Sequence, residues 1–211
     1  MAQITRKTCG RGVKDAGNRI LSVVFVTAAK PIRCLAFDTS MTCPGVAIIE
    51  VRKGKPTIKA LSHVKPNTSR SHAHRAEVIE GWAMLFLDKH VGTAGFDYVV
   101  REDFAGKTSR SNYPVLSAWN ACERATSRFG LTFAKYKKPG KDTEYLGISA
   151  TRVKSLVAGS GNAVKDEVEA GVRRITGYAG TFANDDESDA AAIGLAWLID
   201  AGVIEKPKGA G

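Results

Sequence analysis

The chain has 211 residues, a formal net charge of +10 and a pI near 9.6. With 44% hydrophobic and 25% charged residues it has the material for one globular domain with additions, which argues against an intrinsically disordered chain. No apolar run approaches a bilayer span, and the basic surplus points to an anionic partner: nucleic acid first, an anionic membrane surface second, plain solubility as the bland alternative.

Residues 1–30 carry six basic residues (Arg6, Lys7, Arg11, Lys14, Arg19, Lys30) against the single acid Asp15. They read as an N-terminal extension with one short strand over 20–27. A basic arm on DNA phosphates and an organelle transit peptide share this composition. The apolar stretch 21–28 is too short for a secretory signal. The four cysteines, Cys9, Cys34, Cys43 and Cys122, form no C-x-x-C pair and no zinc spacing with the histidines. Cys34 and Cys122 read as core thiols, and the expected compartment is reducing.

From Pro31 the pattern becomes regular. Residues 33–38 and 45–52 predict a strand hairpin, and 57–64 a third strand. Residues 71–90 place Val78, Ile79, Trp82, Leu85 and Phe86 at helical spacing. Residues 96–101 form a fourth strand, and 113–129 a helix with Val115, Leu116, Trp119, Cys122 and Ala125 on its apolar face. Residues 131–136 and 144–148 predict strands around a Lys-Pro-Gly-Lys loop. Ser149 or Thr151 can cap a helix beginning near Arg152. Gly159-Ser160-Gly161 interrupts it, 163–176 resumes it, and 188–200 form the last helix. This order predicts an α/β fold in which an antiparallel three-strand meander continues into parallel crossovers.

Three sets of acids fall at element ends. Asp38 closes the first strand of the hairpin, Glu102 follows the fourth strand, and Asp186 and Asp189 open the last helix, three residues apart and so on one face. Asp185 sits beside them. A carboxylate at the end of a buried strand is costly unless it is paired or holds a cation. Hard divalent cations take oxygen ligands, and two of them can clamp the attacking and leaving oxygens of a phosphodiester. Taken singly, each acid also reads as a turn cap, a solvated loop charge or a helix-dipole partner.

Together the motifs resemble the RuvC-type Holliday-junction resolvases of the RNase H-like (retroviral integrase) superfamily. The matching stretches are Leu35-Ala36-Phe37-Asp38-Thr39-Ser40 with Gly45-Val46-Ala47, Val99-Val100-Arg101-Glu102-Asp103-Phe104, Val153-Lys154 through Gly159-Ser160-Gly161-Asn162-Ala163-Val164-Lys165, and Asp186-Glu187-Ser188-Asp189 through Leu195. The resemblance implies an RNase H-like fold with a mixed five-stranded sheet flanked by helices, spanning 31–204 between the extension and a flexible tail at 205–211. It implies a metal-dependent endodeoxyribonuclease that resolves four-way and other branched DNA by paired nicks, working as a homodimer. Two Mg²⁺ ions are implied per site, with Mn²⁺ substituting. Asp38 would bridge the ions, Glu102 would hold one and Asp189 the other, and Asp186 would assist or position the water. Lys165 would offset charge on the pentavalent phosphate. Phe104 is the nearest match to the family's stacking aromatic, one position closer to the Glu than usual. Lys107, Arg110, Arg152, Lys154, Lys137 and Lys138 join Lys165 as implied DNA contacts, the loop lysines Lys135, Lys137, Lys138 and Lys141 reading equally well as a solvated basic loop.

Three features depart from the family pattern: Thr39-Ser40-Met41 stands where Pro-Gly usually follows the first Asp, the 131–145 segment is long, and the extension is extra. These suggest a phage-like or divergent member, placed in the cytoplasm of a bacterial or phage-infected cell. The opening "FDTS" also occurs in actin-like and threonylcarbamoyl-adenosine-related nucleotide-binding proteins, and a non-catalytic branched-DNA-binding module is a further alternative.

Overall fold

The computed structural model describes residues 13–14, 20–21, 30–104 and 109–207, with side chains over 30–104 and 112–207. Backbone contacts divide the chain into two units, Met1–Lys30 and Pro31–Gly211. In the first unit β1 (Val13–Lys14) pairs antiparallel with β2 (Ile20–Leu21). Residues 22–27 of the expected strand lie outside the described residues.

The second unit is built on a four-stranded sheet in the order β5-β4-β3-β6. β3 (Ile32–Asp38), β4 (Gly45–Arg52) and β5 (Lys55–His63) are consecutive and antiparallel. β6 (Tyr98–Arg101) adds to β3 in parallel. β3 and β4 are apolar on both faces because both faces are covered. Cys34, Ala36, Ala47, Ile49 and Val100 face one core, and Leu35, Phe37, Val46, Ile48 and Val99 the other. α1 (His72–His90) and α2 (Ser109–Arg128) cover the second core. α3 (Ala150–Val157), α4 (Lys165–Thr176) and α5 (Asp185–Asp200) cover the first. Small residues let α5 lie close to the sheet: a Cβ on Gly194 would stand 2.7 Å from Ile49 Cδ1 and 3.0 Å from Ala36 Cβ. Among the described residues no helix is long and apolar enough to cross a membrane.

The structure corrects several expectations. Five strands were expected in the sheet, and the described residues form four, with only an isolated parallel bridge, Glu102 to Ile148, in the fifth position. The reason is length: Ile148 exchanges bonds with Arg101 O and Asp103 N, and the next residue, Ser149, already caps α3. Residues 131–135 are irregular rather than a strand. β7 (Tyr136–Lys137) and β8 (Glu144–Tyr145) instead form a separate two-stranded ribbon. α4 is a helix of its own from Lys165, and α5 begins at Asp185 rather than 188. Two apolar faces are narrower than the helical spacing predicts. Val78 and Leu85 on α1 and Leu116 on α2 are exposed, while Ala76, Ala83 and Leu87 take the buried positions on α1.

Candidate active site

Strand register builds the site. In the parallel pair Phe37 stands beside Arg101, so the next residues, Asp38 and Glu102, fall side by side, roughly 5 Å apart by strand spacing. Side chains alternate along a strand, so Asp38 shares the face of Cys34 and Ala36, and Glu102 that of Val100. That is the face α5 covers. Both acids therefore point toward α5 from the carboxyl ends of two parallel strands, where open α/β sheets bind their ligands.

α5 meets them with its N-terminus. Asn184 caps the helix by accepting the Glu187 N–H at 3.2 Å, which puts Asp186 and Asp189 in the first turns. The helix end approaches so closely that a Cβ on Gly45, the partner of Asp38 in the hairpin, would lie 2.1 Å from the Asp186 carbonyl oxygen. Glu187 turns away from the other acids. It is buried, its Oε1 stands 2.9 Å from His63 Nδ1, and its Oε2 accepts the Ala183 N–H at 2.9 Å.

The carboxyls feel one another. Burial raises Asp38 well above the usual carboxylate range; Glu102, Asp189 and Asp186 add repulsion, and Lys165 opposes it. Burial, then repulsion from Asp189, pushes Glu102 up to about 7, against the pull of Lys154. Asp189 is raised by burial, with Lys165 opposing and Asp186 and Asp185 reinforcing. Lys165 Nζ lies 3.1 Å from Asp185 Oδ2 and 3.9 Å from Asp189 Oδ2. Glu102, Lys154 and Asp189 line one cavity of about 90 Å³ with Ala150, Val153, Val168 and Ile193. A second, of about 380 Å³, is bounded by Cys43, His63, Lys65, Lys165 and residues 183–186. Among the described residues no three His, Cys, Asp or Glu side chains already have the spacing of a metal cage. The donor set is nonetheless all oxygen and carries surplus negative charge in a buried place, the chemistry that a hard divalent cation relieves.

The remaining expected contacts scatter. Phe104 is half-buried just after Glu102. Lys107 and the side chain of Arg110 lie outside the described residues. Lys137 pairs with Asp142 at 3.2 Å, and Lys138 is exposed on the same loop. Arg152, an expected DNA contact, grips the carboxylate of Asp200 with its guanidinium, 2.9 Å from Nε to Oδ2, and Tyr136 O–H donates to the same carboxylate. That fork holds α3 to the end of α5.

Sequence reasoning missed the His63–Glu187 pair and the role of Arg101. Arg101 is buried on the opposite face from Glu102, its guanidinium 3.8 Å from the Trp119 ring centroid and 4.6 Å from that of Phe133, with Nη1 2.8 Å from Glu123. It anchors from behind the strand end that carries Glu102. The only local signal was an arginine at the end of a buried strand.

No family model matches this chain, and no curated protein does. Solved structures do. The structure described as Thermus thermophilus RuvC in complex with Holliday junction substrate superposes with a TM-score of 0.65 at 22% identity, covering 82% of this chain and 97% of that one. A further Thermus thermophilus RuvC structure gives 0.63 at 22% identity, covering 82% and 98%. At that identity the likeness speaks for architecture, and Pro31–Gly211 is built on the fold of RuvC.

Proposed function

We propose that this chain is a metal-dependent, structure-selective endodeoxyribonuclease that hydrolyses phosphodiesters of four-way and other branched DNA. The observation that carries this reading is the pair Asp38 and Glu102, side by side on the sheet face that the acidic N-terminus of α5 meets. The ordered motifs, the basic chain and the fold likeness to a RuvC structure bound to a junction support it.

Asp38, Glu102, Asp186 and Asp189 would hold the cations, Mg²⁺ with Mn²⁺ as substitute and two per site. When bound, such ions supply Lewis-acid stabilisation of the attacking and leaving oxygens. Asp186 orients the attacking water. Lys165, tethered by Asp185, sets an ammonium over the acids, where it stabilises charge that develops on the phosphate. Lys154, beside Glu102 in the smaller cavity, contacts a neighbouring phosphate. The bond from phosphorus to the 3′-oxygen breaks as the bond to water oxygen forms. Symmetric paired nicks across a four-way junction call for two copies of the site, hence a homodimer in the cytoplasm of the cell that makes it.

The test is cleavage of matched four-way, three-way and linear DNA with Mg²⁺. Four-way DNA should be cut best. Asp38→Asn should lower the rate by about 10³-fold or more, as expected when transition-state stabilisation is removed. Near-normal turnover in that variant, or in excess EDTA, would rule the mechanism out.

A further inference from the structure

A run of 26 residues, Val51 to Ala76, contains no acid and seven lysines or arginines. Its second half reaches the active end of the sheet. In the hairpin register Asp38 pairs with Gly45, and Gly45 with His63, so His63 stands two strand spacings, roughly 10 Å, from Asp38. The loop from Val64 to Ser71 follows and leads into α1. It flanks the site on the side away from Glu102.

This loop is built rather than loose. Val64 N–H donates to Pro44 O at 3.2 Å, and Pro66 is buried. Asn67 Oδ1 accepts from Ser69 N–H at 2.9 Å and from its hydroxyl at 2.8 Å, and Arg70 N–H returns to Asn67 O at 3.1 Å. Ser71 caps α1, whose first turn has no acid. Buried Arg75, one turn in, donates to Met41 O, which ties the start of α1 to the turn after Asp38. Lys65, Arg70 and His72 are exposed on this frame, and among the described residues none of them forms an ion pair. Arg124, Arg128, Lys135, Lys137 and Arg173 elsewhere are paired. Lys65 also lines the cavity of about 380 Å³ that it shares with Lys165 and Asp186.

We propose that the β5–α1 loop, through Lys65, Arg70 and His72, is a second phosphate-binding lip that carries the DNA backbone past the acids on the side opposite Lys154. The proposal rests on the nuclease reading and deepens it. A backbone held on one side alone could swing about the scissile phosphate. Held by Lys154 on one side and Lys65 with Arg70 on the other, it crosses the carboxylates in one direction. Such contacts neutralise phosphates and are independent of sequence.

The experiment measures binding of the full chain to a four-way junction in Ca²⁺ across a salt series, for wild type, Lys65→Ala/Arg70→Ala, Lys65→Glu/Arg70→Glu and Lys154→Ala, with thermal melts to show folding. The double alanine variant should flatten the slope of log affinity against log salt by about two and weaken binding at least tenfold near 0.1 M salt, and the glutamate variant should weaken it further. Unchanged slope and affinity in both double variants, with Lys154→Ala weakened, would overturn the lip and leave the nuclease reading standing. A wild type that binds no DNA would overturn both. Because the altered side chains are exposed, a collapsed melt in the double variants would also count against the proposal, by showing the loop to be structural.

Discussion

Glu102 links proton and stability in one side chain and, on the function proposed above, metal as well. Its carboxyl is pushed up to about 7 in the folded chain from an ordinary value of 4.5. The metal-free folded state therefore binds a proton that the unfolded state has already lost between those limits. Stability tied to this group is highest near pH 4.5 and falls as pH rises toward 7. Chemical denaturation in EDTA should show the wild type losing about 1 to 2 kcal/mol across that window, and Glu102→Gln should flatten the loss. Apparent Mg²⁺ affinity should rise over the same range, since the cation and the proton compete for one carboxylate. An EDTA profile that Glu102→Gln leaves unchanged would show that burial and repulsion at Glu102 are not what it reports. The acids themselves were legible in the sequence, because a charge closing an apolar run has few cheap explanations. Glu187 with His63 and Arg152 with Asp200 were not, because their partners lie 124 and 48 residues away and nothing local marks them.

At the scale of elements, Gly45 sets the distance between the hairpin and α5. Any Cβ there meets the Asp186 backbone at 2.1 Å, and backbone yields only by moving the helix. Gly45→Ala should cost about 1 to 3 kcal/mol of stability. It should also lower kcat by about 10²-fold, as a misplacement near 1 Å does, while junction affinity measured by gel shift is kept. A stable, fully active Gly45→Ala protein would mean that the approach of α5 does not position the acids. Most elements were readable from periodicity. The start of α5 was not, because the Asn184 cap carries the helix back over polar residues with no apolar rhythm. The segment 131–148 misled for the opposite reason. Its strand-forming residues serve contacts instead: Phe133 stacks on Arg101, Ala134 N–H reaches Val99 O, and Ile148 bridges Glu102.

At the scale of the molecule, the break in composition at Pro31 coincides with the division of backbone contacts at Lys30. A chain beginning at Ala29 should fold and cut junctions, with weaker binding and a shallower dependence on salt, since the basic residues of the extension are gone. Circular dichroism and a nicking assay check this, and insoluble or inert protein would place the extension inside the working domain. The α/β class was legible from element order, since three strands followed by alternating helices leave few topologies. The sheet's true width was not, because one bridged residue and a paired strand look alike in a sequence. The site also has a history along the chain. Asp38 and Asp189 are separated by about 150 residues, and α5, which brings Asp186 and Asp189, leaves the ribosome after all four strands of the sheet. Contacts that distant close late. On the nuclease reading proposed above, a partly synthesised chain that holds Asp38 and Glu102 but lacks α5 has an incomplete set of carboxylates, so the growing polypeptide stays harmless to nearby DNA until that helix has emerged.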